Sequence, residues 1–402
     1  MLPKPLPYYI RNINGLLIII LCLKISGYFS IVEDRGINQV FKIITRVGMT
    51  GAIALIQFKL SNFGCLPTFK YKNTLSPLLY GLYLLLGFAS FSWSTDPKYS
   101  ALQWVMVVES LTFVILFMRV VTMVNFYFPQ KKINLVQLFV WGIFPIMIVF
   151  FIGSIAFPDL FWRGMRGGEE YRLGGYLMNP NELGMLSSIA AAMGYIHFQT
   201  TTKKIITIIS MLTASPALRI PSSRSTAIGF LLIIGILILK SDNVKLKIAM
   251  FSSMAIALPF ILKFVIFKDG GGVEEVMSMT GRLPFWKALL NEGIVREPFF
   301  GYGFMRINYT DYFQGLNTYP AKMTHNTFMQ VLMNLGFVGF FIAFWQLVTT
   351  IRNYFKEKES TYRDFFIALF IPAFINSITE FGIFGETNYG ILFYQFLVML
   401  FI

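Results

Sequence analysis

A histidine and a set of arginines carry the chemistry this sequence could perform. The chain has only two histidines, His197 and His325. An imidazole titrates near neutral pH, so a histidine beside a substrate hydroxyl suits the role of general base. Arg163, Arg166 and Arg172 fall in one stretch, Arg219 and Arg224 in a second, and Arg282, Lys287, Arg296 and Arg306 in a third. A guanidinium stays charged and presents a planar fork that grips phosphate oxygens in pairs. Each residue alone has a plainer reading. An arginine snorkels or pairs with an acid such as Glu169, Glu170, Glu274, Glu275, Glu292 or Glu297, and a histidine enters a helix or fills a satisfied buried niche. Several arginines converging on one membrane face resist that reading. Asn326 either caps a helix or orients the neighbouring imidazole. No His/Cys cluster or Asp-x-Asp pair accompanies the arginines, so no metal site and no cofactor is expected. The arginines would then neutralise an anionic leaving group themselves.

The elements that must position these residues are membrane spans. Of 402 residues 55% are hydrophobic and 13% charged, against about 25% charged in a soluble domain. Apolar runs of about 20 residues recur, the length of a bilayer-crossing helix. A β-barrel would show alternating segments of about 10 residues instead. Twelve spans are expected, at about 13–32, 39–58, 75–93, 101–122, 134–157, 183–199, 205–221, 225–239, 246–267, 326–350, 364–380 and 390–402. The fold class is therefore an all-α polytopic membrane protein, a single integral membrane domain over 1–402 without internal repeats. No cleavable signal peptide is expected, and Cys22 and Cys65 are not expected to form a structural disulfide.

Lys and Arg in alternate short loops set the orientation. Lys59, Lys70 and Lys72, then Lys131 and Lys132, Lys203 and Lys204, Lys240, Lys245 and Lys247, and Arg352, Lys356, Lys358 and Arg363 mark the cytoplasmic side. Both termini are then cytoplasmic. These loops account for much of the net charge of +14 without nucleic acid. The same topology puts the three arginine groups outside, in two long loops at about 158–182 and 268–325 and in a turn between spans seven and eight. Lys42 and Arg46 fall near the outer end of span two. Outer cations run against the usual bias and point to a lipid-borne or large anion at the outer leaflet, for which a polyprenyl pyrophosphate fits. His325 lies outside. His197 lies at the cytoplasmic end of span six and reads as interfacial packing.

Five strings occur in order: RLGGYLMNPNELG (172–184), SSRST (222–226), TGRLPFW (280–286), GYGF (301–304) and THNTFMQVLMNLGFVG (324–339). Together they resemble the bacterial O-antigen ligase and polymerase superfamily over roughly residues 165–345. The resemblance implies a C-type glycosyltransferase fold, in a bacterial inner membrane, with the active site facing the periplasm. It implies a glycan donor on undecaprenyl pyrophosphate, a glycan or lipid A-core sugar hydroxyl as acceptor, a metal-independent reaction and inversion at the anomeric carbon. On matching positions it makes His325 the base and Arg224 and Arg282 the pyrophosphate ligands, with Arg172 next. Arg219 could stand in for Arg224, since both lie in one turn. Asn179 and Asn181 read first as turn and cap residues, and Glu380 and Glu386 as partners of arginines.

Polymerase is preferred over ligase. A protein glycosyltransferase usually carries a larger periplasmic C-terminal part, whereas this sequence stops in its last span. A flippase of lipid-linked glycans would show charges along a path through the spans and matching halves. Here the cations gather at one face and the halves differ.

Overall fold

The computed structural model describes residues 7–31, 34–65, 73–165, 170–201, 224–261, 282–304, 307, 324–380 and 382–401. They divide into two compact units, Met1–Lys70 with Glu109–Ile220, and Tyr71–Val108 with Pro221–Ile402.

The first unit holds α1 (Tyr8–Arg11), α2 (Ile13–Ser26), α3 (Arg35–Asn62), the larger part of α5 (Pro97–Tyr127), α6 (Leu135–Ala156), α7 (Pro158–Phe161) and α8 (Pro180–Thr200). Helix α2 packs on α3 and α6, and α6 packs on α8. Helix α6 approaches α2 closely at Gly142, where a Cβ would lie 3.0 Å from Leu21 Cδ2. The second unit holds α4 (Leu75–Ala89), the start of α5, α9 (Arg224–Lys240), α10 (Val244–Ile261), α11 (Arg282–Ala288), α12 (Ile294–Arg296), α13 (Thr327–Lys356), α14 (Ser360–Thr379) and α15 (Tyr389–Met399). There α13 packs on α4 and α14, and α14 on α9 and α15.

Short polar side chains start many of these helices. Asp34, Asn134, Asn179, Asn326 and Asn388 each accept a backbone N–H of the first turn of α3, α6, α8, α13 and α15, satisfying donors that the helix itself leaves open. Among the described residues five helices are long and apolar enough to cross a membrane: α3, α4 with the turn that follows it, α5, α6 with the turn before it, and α13. Helices α2, α9 and α15 are apolar but shorter, as is most of α10. The described residues form an all-helical multi-pass membrane protein apart from one small ribbon.

Three sequence expectations meet differences or fall outside the description. The first apolar stretch, expected over about 13–32, is helical only to Ser26. It turns at Gly27, where a Cβ would meet Arg46 Cγ at 2.8 Å. The loop at about 158–182 contains α7 and an antiparallel ribbon, β1 (Trp162–Met165) with β2 (Glu170–Leu173). Four-residue strands are too short to leave a period in the sequence. The stretch at 205–221 and most of the loop at 268–325 lie outside the described residues. Cys22 and Cys65 are free thiols.

Candidate active site around His325

Helix α13 is broken, and the break supports the site. At Gly336 the backbone takes φ 60° and ψ −163°, a left-handed φ that glycine tolerates and other residues avoid. A kink inside a membrane helix frees backbone groups that need new partners. The segment at 298–303 supplies them. The N–H groups of Phe337 and Val338 donate to the carbonyls of Pro298 and Phe299, at 2.8 and 3.1 Å. In return, the N–H groups of Tyr302 and Gly303 donate to the carbonyls of Met333 and Asn334, at 3.0 and 2.8 Å. A Cβ at Gly301 would sit 2.5 Å from the Met333 carbonyl oxygen, so GYGF and NLGFVG fit as two halves of one joint. Burial pushes the Tyr302 hydroxyl up from its ordinary pKa, and it stays a donor, to the Gly293 carbonyl at 2.9 Å.

Phe285, Leu289, Ile294, Tyr302, Ile307, Leu332 and Met333 form a buried cluster over this joint. Phe285 belongs to α11, so the cluster fastens α11 to the first turns of α13. A five-residue π-helical turn, Leu289–Gly293, follows α11.

His325 stands immediately before the cap of α13. It is the only non-glycine among the described residues with positive φ, at 50°. Such strain persists where the surroundings hold it, and it gathers at functional sites. Its Nδ1 lies 2.9 Å from Glu380 Oε2. An ionised carboxylate only accepts, so Nδ1 carries the proton in that bond. The other oxygen, Oε1, accepts from Arg282 Nη2 at 3.2 Å, and Arg282 Nη1 donates to the Thr379 carbonyl at 2.6 Å. Arg282 Nε finds no acceptor among the described residues. Glu380 is 5% exposed, whereas the His325 side chain is 21% exposed. The carboxylate is thus a buried bridge, and the imidazole reaches the surface of the unit.

Asn326 proves to be a cap: its Oδ1 accepts from the Met329 N–H, while Nδ2 donates to the Ile378 carbonyl at 3.0 Å. It ties the start of α13 to the end of α14, which carries Thr379 and leads into Glu380. Asn179 likewise accepts the Asn181 N–H at 2.9 Å. Glu386 accepts from the Tyr99 hydroxyl at 2.6 Å.

The structure therefore brings together His325, Arg282 and Glu380. Arg224 is the first residue of α9, in the same unit; its side chain lies outside the described residues, as do Arg166, Arg219 and Arg306. Arg172 belongs to the first unit, on β2, directly opposite Arg163 across the ribbon. Lys42 donates to the Ser30 hydroxyl at 3.0 Å, and Arg46 reaches Glu109 at 3.4 Å. Sequence reasoning missed Trp286 and Thr324, which brace His325 from behind: Trp286 Nε1 donates to the Thr324 carbonyl at 2.7 Å. The one available signal was spacing, since Trp286 follows Arg282 by one helical turn. Among the described residues no three His, Cys, Asp or Glu side chains gather as a metal site.

Residues 183–344 match a protein family described as O-antigen ligase. The matched segment includes Arg219, Arg224, Arg282 and His325, begins after Arg172 and ends before Glu380. No curated protein matches the chain.

Proposed function

From the match of residues 183–344 to a family described as O-antigen ligase, we propose that this chain is a membrane glycosyltransferase acting at the periplasmic face. It moves a glycan from undecaprenyl pyrophosphate to a sugar hydroxyl, as a repeat-unit polymerase in the first instance and as a ligase to lipid A-core in the second. In this reading the chain is one inner-membrane domain of twelve spans and C-type fold, with both termini cytoplasmic. The observation that carries the reading is the His325–Glu380–Arg282 chain, a base and a phosphate-binding cation joined by one buried carboxylate.

The acceptor hydroxyl gives its proton to His325 Nε2 as its oxygen attacks the anomeric carbon. The new bond is glycosidic C–O, and the bond that breaks joins the anomeric carbon to the pyrophosphate oxygen. Undecaprenyl pyrophosphate leaves with that electron pair, and the configuration inverts. With its proton on Nδ1 held toward Glu380, the ring presents the Nε2 lone pair, the tautomer a base requires. Arg282, whose side chain is 17% exposed, meets the leaving group together with Arg224, or with Arg219 from the same turn. The resemblance also names Arg172, on β2 of the first unit, as a further candidate. The arginines supply the neutralisation that the leaving pyrophosphate needs, and the reaction takes no metal and no cofactor.

The test is a purified, reconstituted assay with undecaprenyl pyrophosphate-linked repeat units, without divalent metal. A product ladder supports the polymerase, and transfer only after a lipid A-core acceptor is added supports the ligase. His325→Ala should lower turnover by roughly 10²–10⁴-fold while the protein keeps its thermal midpoint. Near wild-type turnover in that variant would remove His325 as the base. An intact, donor-binding protein with neither activity would direct attention to lipid flipping.

A further inference from the structure

The short helix α11 touches both supports of His325. Arg282 at its first position reaches Glu380, the carboxylate on Nδ1. Trp286, four residues on and so on the same helix face, donates its indole N–H to the Thr324 carbonyl, immediately before the strained histidine. Between them, Phe285 is buried against α13 in the cluster with Leu332 and Met333, so the helix has a fixed seat.

The Thr324 side chain closes the bracket. Its hydroxyl donates to the Asn326 carbonyl at 2.8 Å and accepts the Asn326 N–H at 3.3 Å. It thereby spans His325 from the residue before to the residue after. These bonds offset the cost of φ 50° at a residue with a Cβ, about 1–2 kcal/mol for the left-handed region. Without them the backbone would relax, and the imidazole would swing away from Glu380.

We propose that Trp286 and Thr324 are positioning residues for His325. They lock its backbone in the left-handed conformation, so that α11 sets the histidine through its backbone and through Glu380 at once. This rests on His325 being the base in the reading above. Neither residue touches the reacting atoms. Both act through the histidine, so their loss should appear in turnover and not in donor binding. Misplacing a catalytic group by about 1 Å costs up to about 10²-fold.

The test compares Trp286→Phe, Thr324→Val and Thr324→Ser with His325→Ala in the full-length reconstituted protein. The substrates are undecaprenyl pyrophosphate-linked repeat units and the acceptor found active above. Trp286→Phe keeps an aromatic ring against the cluster and loses the indole N–H. Thr324→Val keeps the shape and loses the hydroxyl, and Thr324→Ser restores it. The expected result is a kcat about tenfold lower or more for Trp286→Phe and Thr324→Val, an unchanged donor KM, and recovery to within about twofold in Thr324→Ser. If Trp286→Phe does not accumulate, the Val and Ser pair reads the same bracket. Wild-type kcat in Trp286→Phe and Thr324→Val, with His325→Ala inactive, would overturn the positioning role alone. A parallel loss of kcat, KM and thermal midpoint, not rescued by Ser, would reduce it to ordinary packing. An active His325→Ala would remove the functional reading and this inference together.

Discussion

Two buried charge clusters, one in each unit, use the same residue types to different ends. In the first unit Lys24 on α2 is fully buried, although the chain reads as a membrane protein and a charge there is costly. It donates to Glu109 on α5, to the Thr50 hydroxyl on α3 at 3.1 Å and to the Arg46 carbonyl at 3.3 Å. An ammonium has three protons to give, and here each has an acceptor. Glu109 also takes Thr50 and Arg46, and the Arg46 guanidinium lies 4.2 Å from the centre of the Tyr28 ring. Valences on Lys24 are filled, and three helices are joined. In the second unit the cluster is less closed. The side chains of His325 and Arg282 are 21% and 17% exposed, against 0% and 4% for Lys24 and Arg46, while each arginine keeps an Nε donor without an acceptor among the described residues. A cluster closed to solvent is suited to holding helices, and one that reaches the surface to receiving a substrate. Exposure separates the two, where counting charges does not.

The comparison breaks most readily at Glu109. If its cluster is a staple, Glu109→Ala leaves Lys24 and Arg46 buried without their carboxylate. Removing one partner of a buried ion pair costs about 3–5 kcal/mol. The expected outcome is a large fall in resistance to SDS unfolding and in thermal midpoint, with turnover per folded molecule unchanged. A stable Glu109→Ala protein with lost turnover would move this cluster from structure into function.

Glu380 is the counterpart, and the opposite pattern is expected there. Glu380→Gln keeps the shape of the bridge but removes the negative charge that holds Nδ1–H and Arg282 together. Turnover should fall by roughly 10²-fold, in line with loss of a group that orients a general base. The thermal midpoint should change less than in Glu109→Ala, because both partners of Glu380 are partly exposed. Transfer rates and melting curves of the two variants, measured side by side, decide the matter. A Glu380→Gln protein with full kcat would make this bridge a staple too.

Much of this was legible in the sequence, and the limits have physical causes. Helix positions follow from apolar runs and from caps such as Asn134 and Asn326, because these signals act over a few residues. His325 and Arg282 stood out by residue type and by their place in recognisable strings, and Glu380 was rightly read as a partner for an arginine. The pairing itself joins residues 98 and 55 positions apart, and no periodicity encodes such distances. Lys24 and Glu109 are 85 positions apart, so their pairing was hidden and Arg46 read only as an outer cation. The joint at Gly336 was likewise hidden. A glycine inside an apolar run gives no sign that a second segment will take over its hydrogen bonds.

The smallest effect gives the sharpest comparison, since the same substitution can be made on both sides. Thr50→Val and Thr324→Val each replace a hydroxyl by a methyl group of similar shape. At position 50 the loss is one acceptor for Lys24 and one donor to Glu109. A buried hydrogen bond contributes about 1 kcal/mol net, and somewhat more when a partner is charged. Thr50→Val should therefore lower resistance to SDS unfolding by an amount on the order of 1–3 kcal/mol and leave kcat where it was. At position 324 the hydroxyl is fully buried and brackets the strained backbone of the proposed base, so the same change should cost a comparable amount of stability and lower kcat as well. The two variants should thus resemble one another in a melting curve and differ in rate. Equal losses of stability with equal rates would mean that both clusters hold the fold and that neither hydroxyl sets the geometry of the base.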